Sequence, residues 1–417
     1  PEPQQCPRLY KRRFVGLAQL VLINLIVSWD WLTFAAVSST AAEFFNVSQA
    51  AIDWLSTAFL FAFLPVGPIV IYALRAGPKP SMLISSALVL VGNWIRYAGT
   101  RASPPRYPVV LFGQILIGFS QPFVLAAPTR YSNMWFSDSG RVTATAIASL
   151  ANPLGGALGQ LIGPMFPNIP DLVLYTAVIS TVATIPTPFI PTRPRTPPSA
   201  IAATTKLAPL ASLRALRKDT PFWLILLPFG VYVGLFNAIS SLLNAIMLPY
   251  AFTEAEAGIT GAILIVVGLI AAAIISPIVD KKQVHLTTIK ALVPIIALSY
   301  FIFIFMPPTG TVAGPFIVAA VLGASSFALL PCTLEYLVLA THPVSPEITS
   351  TLCWSLGQLL GGVFIIVMNA LKGVWSGKPD DNMIAALVFQ AVVALAVVPL
   401  PLVLGWSKLS SRGATRN

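Results

Sequence analysis

Twelve separate runs of about 20 apolar residues govern what this chain can become. They fall near residues 14–41, 50–74, 80–99, 108–132, 141–165 and 171–191, then near 220–250, 257–279, 288–306, 312–340, 348–374 and 383–406. As helices rising about 1.5 Å per residue, runs of that length cross a hydrocarbon core of about 30 Å. Only 9% of the 417 residues are charged and 56% are hydrophobic, whereas soluble domains carry about 25% charge. The expected fold class is an all-α, multi-pass membrane protein, because a helix satisfies its own backbone in lipid. The net charge of +11 does not indicate nucleic acid, since no segment forms a basic domain. Loops rich in Lys and Arg account for it.

The runs form two groups of six. A tail (1–13) precedes a first bundle (14–191), and a linker (192–219) rich in Pro, Thr and Ala leads to a second bundle (220–406) and a closing tail (407–417). The linker carries basic residues and a short amphipathic helix expected over Leu207–Leu216. With both termini cytoplasmic, inner loops and ends hold 20 of the 25 Lys and Arg, leaving five at the outer ends, Arg96 among them. Asn46-Val47-Ser48 is an N-glycosylation sequon in the first outer loop, in agreement with that orientation. A plasma membrane is the expected location, an endosomal or vacuolar membrane the alternative.

The two groups are repeats. Ser139-x-x-x-Thr143-x-Thr145-x-x-x-Ser149-Leu150-x-x-x-Leu154-Gly155-Gly156 recurs, displaced by 206 residues without a gap, as Ser345-x-x-x-Thr349-x-Thr351-x-x-x-Ser355-Leu356-x-x-x-Leu360-Gly361-Gly362. The fifth and eleventh helices are therefore equivalent, as in the two parallel repeats of major facilitator transporters. The paired glycines read as close-packing devices, since no lysine follows to make a phosphate loop. The same offset pairs Trp31 with Asn237 and Ser38 with Asn244.

The first run contains Trp29-Asp30-Trp31. A carboxylate at membrane depth costs roughly 2.5–3.5 kcal/mol on insertion scales, so it faces a bundle interior or a watery path. Asp30 reads as a substrate counter-ion, a proton-coupling carboxyl or a buried structural partner. At about 100° per residue, Asn24, Trp31 and Ser38 share one face. Asn237 and Asn244 share a face of the seventh helix, and Gln114 and Gln121 repeat that spacing in the fourth. On the eleventh, Gln358 stands one turn from Trp354. These are the candidate substrate-binding residues: Trp31, Asp30, Asn237, Asn244, Gln358, Gln114, Gln121 and Trp354. Singly, each amide also suits interhelical bonding; as a set they come from helices expected to face a central cavity. Trp31 and Trp354 offer ring faces to a cation.

Arg130 and Arg141 in the first half, with Glu335 and Glu347 in the second, are expected at the inner ends. They read as ion pairs of an inner gate, or as local pairs within each half. No Ser/His/Asp pattern and no nucleotide-binding motif is present, so the chain reads as a secondary transporter rather than an enzyme or primary pump. No cofactor and no metal is implied. The expected partners are a small-molecule substrate, the bilayer and, if Asp30 titrates, protons; the expected working form is a monomer.

Ile52-Asp53-Trp54-Leu55-Ser56, the Trp31 segment, Asn152-Pro-Leu-Gly155, Gly234-x-Phe236-x-Ala-Ile-Ser240-x-Leu-Leu-Asn244 and Leu330-Pro-x-x-Leu-Glu335-Tyr resemble the FLVCR family of the major facilitator superfamily, from about residue 14 to 375. The resemblance implies a twelve-helix facilitator with a central site. It also implies that a first-helix tryptophan and a seventh-helix tyrosine cage a quaternary ammonium, completed by glutamines on the fifth and eleventh helices. Trp31 and Gln358 match that pattern. Asn237 stands where the tyrosine is expected, Pro153 where the fifth-helix glutamine is expected, and Asp30 replaces a glutamine. A choline- or ethanolamine-like substrate is the favoured expectation. A proton-coupled carrier of a pyridoxine-like vitamin, a haem exporter and a non-transporting receptor are the alternatives.

Overall fold

The computed structural model describes residues 10–194, 209–341, 344, 346–375 and 379–404, and every regular element among them is helical. Eleven helical stretches are long and apolar enough to cross a membrane: Arg13–Phe45, Gln49–Ala76, Pro78–Arg101, Tyr107–Trp135, Ile169–Phe189, Thr220–Tyr250, Glu254–Val279, His285–Phe303, Ala313–Leu337, Ile348–Ala370 and Ile384–Val403. The less apolar Asp138–Ile162, 25 residues long, is the fifth of the twelve. Among the described residues the chain thus has the twelve membrane-length helices that its apolar runs predict. Between 192 and 219, Pro209–Arg217 is helical; residues 207 and 208, at the expected start of the amphipathic helix, lie outside the described residues.

Local chemistry sets the ends of these helices. Ser48 caps Gln49–Phe61 by accepting from the Ala51 N–H, and Asn168 caps Ile169–Thr184 by accepting from the Asp171 N–H. Gly77 turns the chain between the second and third helices at φ +140°, a conformation that a side chain would strain. The first helix is interrupted. Its α-helical part ends at Leu32, a 3₁₀ turn covers Ala35–Val37, and helix resumes over Ser38–Phe45. That interruption begins two residues past Trp31 and leaves main-chain carbonyls for side chains to satisfy.

Contacts group the chain into two compact units. The first comprises the six N-terminal helices together with Ile239–Leu248 and Phe252–Ile265. Its helices cross at small residues. A Cβ on Gly155 would lie 1.8 Å from the Leu25 carbonyl oxygen, and one on Gly113 would lie 2.6 Å from that of Gly92. In lipid, where burial of apolar surface does not drive helices together, such backbone approach is a main source of packing.

The second unit comprises Leu207–Ala238, Pro249–Ala251 and Val266–Asn417. It repeats the device: a Cβ on Gly234 would lie 2.9 Å from Leu360 Cβ and 3.0 Å from Gly361 N. The close-packing role read from the paired glycines thus has a counterpart in each unit. On the eighth helix Ile270, Ile274 and Ile278, one turn apart, are exposed. Such a stripe suits lipid.

Candidate functional site

The first unit builds its polar core around Asp30. This side chain is wholly buried, and so is Arg96, whose Nη2 donates to Asp30 Oδ1 at 2.9 Å. Asn93, one turn before Arg96 on the third helix, donates through Nδ2 to Asp30 Oδ2 at 2.7 Å, so both carboxylate oxygens are engaged. Arg96 Nη2 also donates to Asn93 Oδ1 at 2.5 Å, and Nη1 donates to Gln114 Oε1 at 2.7 Å and to the Asp30 main-chain oxygen at 3.0 Å. Gln114 Nε2 reaches the same carbonyl at 3.3 Å and that of Trp31 at 3.5 Å. The guanidinium lies 5.6 Å from the Phe34 ring centroid. Room for it comes from Gly113, where a Cβ would sit 2.8 Å from Arg96 Cγ.

This arrangement corrects the placement of Arg96 at an outer end. Counting charge by loop puts it there, but the third helix runs to Arg101 and carries Arg96 inside the bundle. A buried carboxylate with a buried guanidinium is a net-neutral unit, and removing one partner of such a pair costs about 3–5 kcal/mol. The signal that would have found it is mutual need: two opposite charges in separate apolar runs have few other ways to be accommodated.

Trp31 extends from this cluster. It is 5% exposed, stacks on Phe59 with ring centroids 6.2 Å apart, and its buried indole N–H has no hydrogen-bond partner among the described residues. Asn24, on the face shared with Trp31, donates to the carbonyls of Leu20 and Val124 at 3.1 Å each. Because both of those partners accept, the Asn24 amide orientation is fixed, and its buried Oδ1 has no partner among the described residues. Gln121 is buried, and its Oε1 likewise has none among them.

Asn244, also in this unit, donates to the Ala36 carbonyl at 3.3 Å and to Glu254 Oε1 at 3.1 Å. Glu254 caps the resumed part of the first helix. Its Oε1 accepts from the main-chain N–H groups of Ser39 and Thr40 at 3.1 and 3.2 Å and from the Ser39 hydroxyl; its Oε2 accepts from Thr40 Oγ1 at 2.7 Å. A carboxylate at a helix N-terminus is favoured by the unsatisfied N–H groups there. The sequence gives no sign of this role, because Glu254 precedes an apolar run like any interfacial acid.

In the second unit, Asn237 Nδ2 donates to Gln358 Oε1 at 3.1 Å, and both side chains are buried. Trp354, one turn from Gln358, is half-buried and meets Phe229 edge-on at 5.8 Å. Of the expected inner-gate residues, Arg130 is half-buried and Glu335 exposed. The side chains of Arg141 and Glu347 lie outside the described residues. Asn46 is exposed, at the left-handed C-terminal cap (φ +53°) of Ser38–Phe45.

The family model of the Major Facilitator Superfamily matches residues 20–351. The chain is 30% identical over 382 residues to solute carrier family 49 member A3 of Xenopus tropicalis, covering 87% of this chain and 79% of that protein. It is 28% identical to the choline/ethanolamine transporter FLVCR1 of Felis catus (95% and 74% covered) and 26% identical to the choline/ethanolamine transporter FLVCR2 of Homo sapiens (95% and 79%). Among solved structures, an inward-facing, unoccupied bacterial homologue of the human lysosomal transporter Spinster matches with TM-score 0.64 at 16% identity, covering 95% and 96% of the two chains. The human organic anion transporter MFSD10 matches with TM-score 0.65 at 14% identity, covering 94% and 100%. Twelve helices in repeated halves, a polar membrane interior and these likenesses agree: the chain is a transporter of the major facilitator superfamily and belongs to its FLVCR family.

Proposed function

We propose that this transporter moves a small organic cation or amine alcohol of the choline and ethanolamine type by alternating access, without a coupled proton. One observation carries the reading. Trp31 presents an indole next in sequence to a carboxylate whose charge Arg96 already balances and whose second oxygen Asn93 already bonds. Its aromatic face and the nearby amides are the chemistry that holds an alkylammonium, at about 0.5–2 kcal/mol per ring. The likeness to the choline/ethanolamine transporters FLVCR1 and FLVCR2 supports the same class. A proton-coupled carrier needs a carboxyl free to change charge, and the pairing of Asp30 argues against that role.

Trp31, Gln121 and Asn24 are the proposed substrate contacts of the first unit, and Asn237, Gln358 and Trp354 those of the second. Gln114, Asn244 and Asp30 support the contacts of the first unit. Arg130, Arg141, Glu335 and Glu347 are proposed as the inner gate, with both termini cytoplasmic and a plasma-membrane location. The test is uptake of labelled choline, ethanolamine and pyridoxine into proteoliposomes, with and without a pH gradient. Choline or ethanolamine flux that ignores the gradient and is lost in Trp31→Ala supports the reading. Gradient-driven pyridoxine flux replaces it with the coupled alternative, and no flux of any of the three removes both.

A further inference from the structure

The main-chain carbonyls of Asp30 and Trp31 lie in the last turn of Arg13–Leu32, where a helix has no N–H groups of its own to offer them. Here they are met from neighbouring helices. Arg96 Nη1 holds the Asp30 carbonyl at 3.0 Å, and Gln114 Nε2 holds it at 3.3 Å and reaches that of Trp31 at 3.5 Å. Arg96 also orients Gln114 through its Oε1 at 2.7 Å and fixes the Asp30 side chain at 2.9 Å. A cation at a helix C-terminus suits the partial negative charge of those carbonyls. One guanidinium therefore touches the residue before Trp31 twice and governs the amide that reaches Trp31 itself.

We propose that Arg96 is a positioning residue for Trp31: by capping the carbonyl of Asp30 and consuming its side-chain charge, it fixes where the first helix breaks and which way the Trp31 ring faces. The inference rests on the reading of Trp31 as a substrate contact. Its consequence for specificity is that a cationic substrate is recognised by an aromatic face and neutral amides, with no carboxylate contact. Lysine cannot replace the arginine, because a single ammonium cannot span the Asp30 carbonyl, Asp30 Oδ1, Asn93 Oδ1 and Gln114 Oε1 with the planar fork that the guanidinium supplies.

The test uses the full chain labelled with 5-fluorotryptophan in lipid nanodiscs, with the Trp31 resonance identified from Trp31→Phe. The variants are Arg96→Lys and the charge-neutral pair Asp30→Asn/Arg96→Gln; the first keeps a cation in case the second fails to fold. The expected result is a Trp31 resonance that shifts or broadens while those of exposed Trp223 and Trp375 stay in place, with a choline Kd raised tenfold or more. In a Trp31→Phe background, Arg96→Lys should weaken choline binding less than twofold, because a positioning residue acts only through the group that it positions. An unmoved Trp31 resonance in the folded variants, or losses that add in the Trp31→Phe background, overturns the proposal. Absence of choline binding in the wild type removes the substrate reading alone, and the resonance still decides whether Arg96 sets Trp31.

Discussion

Thr40 donates through Oγ1 to Glu254 Oε2 at 2.7 Å, joining residues 214 positions apart in sequence. The same carboxylate takes two of the main-chain N–H groups in the first turn of the Ser38–Phe45 helix, and Asn244 as well. Hydrogen bonds to a charged group each contribute about 1.5–3 kcal/mol. Under the alternating access proposed above, this cluster is expected to favour one state over another. Glu254→Ala is expected to raise the modification rate of a cysteine placed at Ala42 by an impermeant maleimide, by roughly ten- to a hundredfold, if one such bond's worth of preference is lost. Glu254→Gln should fall between, since its amide still accepts through one oxygen. Unchanged labelling in both variants would show that the cluster stabilises the helix end without biasing the transport cycle.

Asn237 Nδ2 donates to Gln358 Oε1 at 3.1 Å in the second unit. Truncating either leaves a buried amide short of a partner, at about 1–3 kcal/mol. Asn237→Ala and Gln358→Ala should each lower the melting temperature of the purified protein, and the double variant should lose less than the two single losses together. Additive losses would mean that the two amides serve separate partners. Under the proposed function, both single variants are expected to raise the KM for choline.

How far sequence alone reaches is clear from these residues. The spans are legible because crossing lipid demands about 20 apolar residues, a requirement written locally along the chain. The glycine crossings are legible because a repeat displaced by 206 residues exposes them twice. Trp31, Asn237, Asn244 and Gln358 stand out as polar or aromatic groups at helical spacing. Arg96 does not, because it lies within one and a half turns of the end of its helix, and a charge count treats such a residue as belonging to the loop. Glu254 is equally silent. Its partners, Ser39 and Thr40, are tertiary neighbours that no periodicity brings together. Asn244 is noticeable for its face, but its bonds to Ala36 and Glu254 depend on where the first helix breaks.

The Gly155 crossing can be tested by adding one carbon. A Cβ there would meet the Leu25 carbonyl oxygen at 1.8 Å, and backbone cannot swing aside as a side chain can. Gly155→Ala is expected to destabilise the first unit by about 1–3 kcal/mol or more, the range for overpacking. Gly67→Ala supplies the contrast, since a Cβ added there would meet nothing within 4 Å apart from its chain neighbours, and its cost is limited to the local one of placing a Cβ before Pro68. Thermal unfolding followed by fluorescence-detected gel filtration should show a markedly lowered midpoint for the first variant and a smaller change for the second. Equal midpoints for the two would mean that the first and fifth helices separate at little cost.

Asn46 supplies a test of orientation that leaves the fold untouched. Its side chain is exposed, and the residue occupies a left-handed conformation at φ +53° that glycine and asparagine adopt readily. Asn46→Gly should therefore remove the sequon without strain, whereas Ser48→Ala also removes the cap on Gln49–Phe61, at about 1 kcal/mol. Expressed in a glycosylating eukaryotic cell, the wild type is expected to migrate faster after treatment with peptide N-glycosidase, and Asn46→Gly is expected to show no such shift. Both should fold, so the difference reports topology and not stability. A wild type insensitive to the enzyme, with a cysteine at Asn46 labelled only after the membrane is permeabilised, would place this loop on the cytoplasmic side. That result would reverse the orientation drawn from the distribution of Lys and Arg.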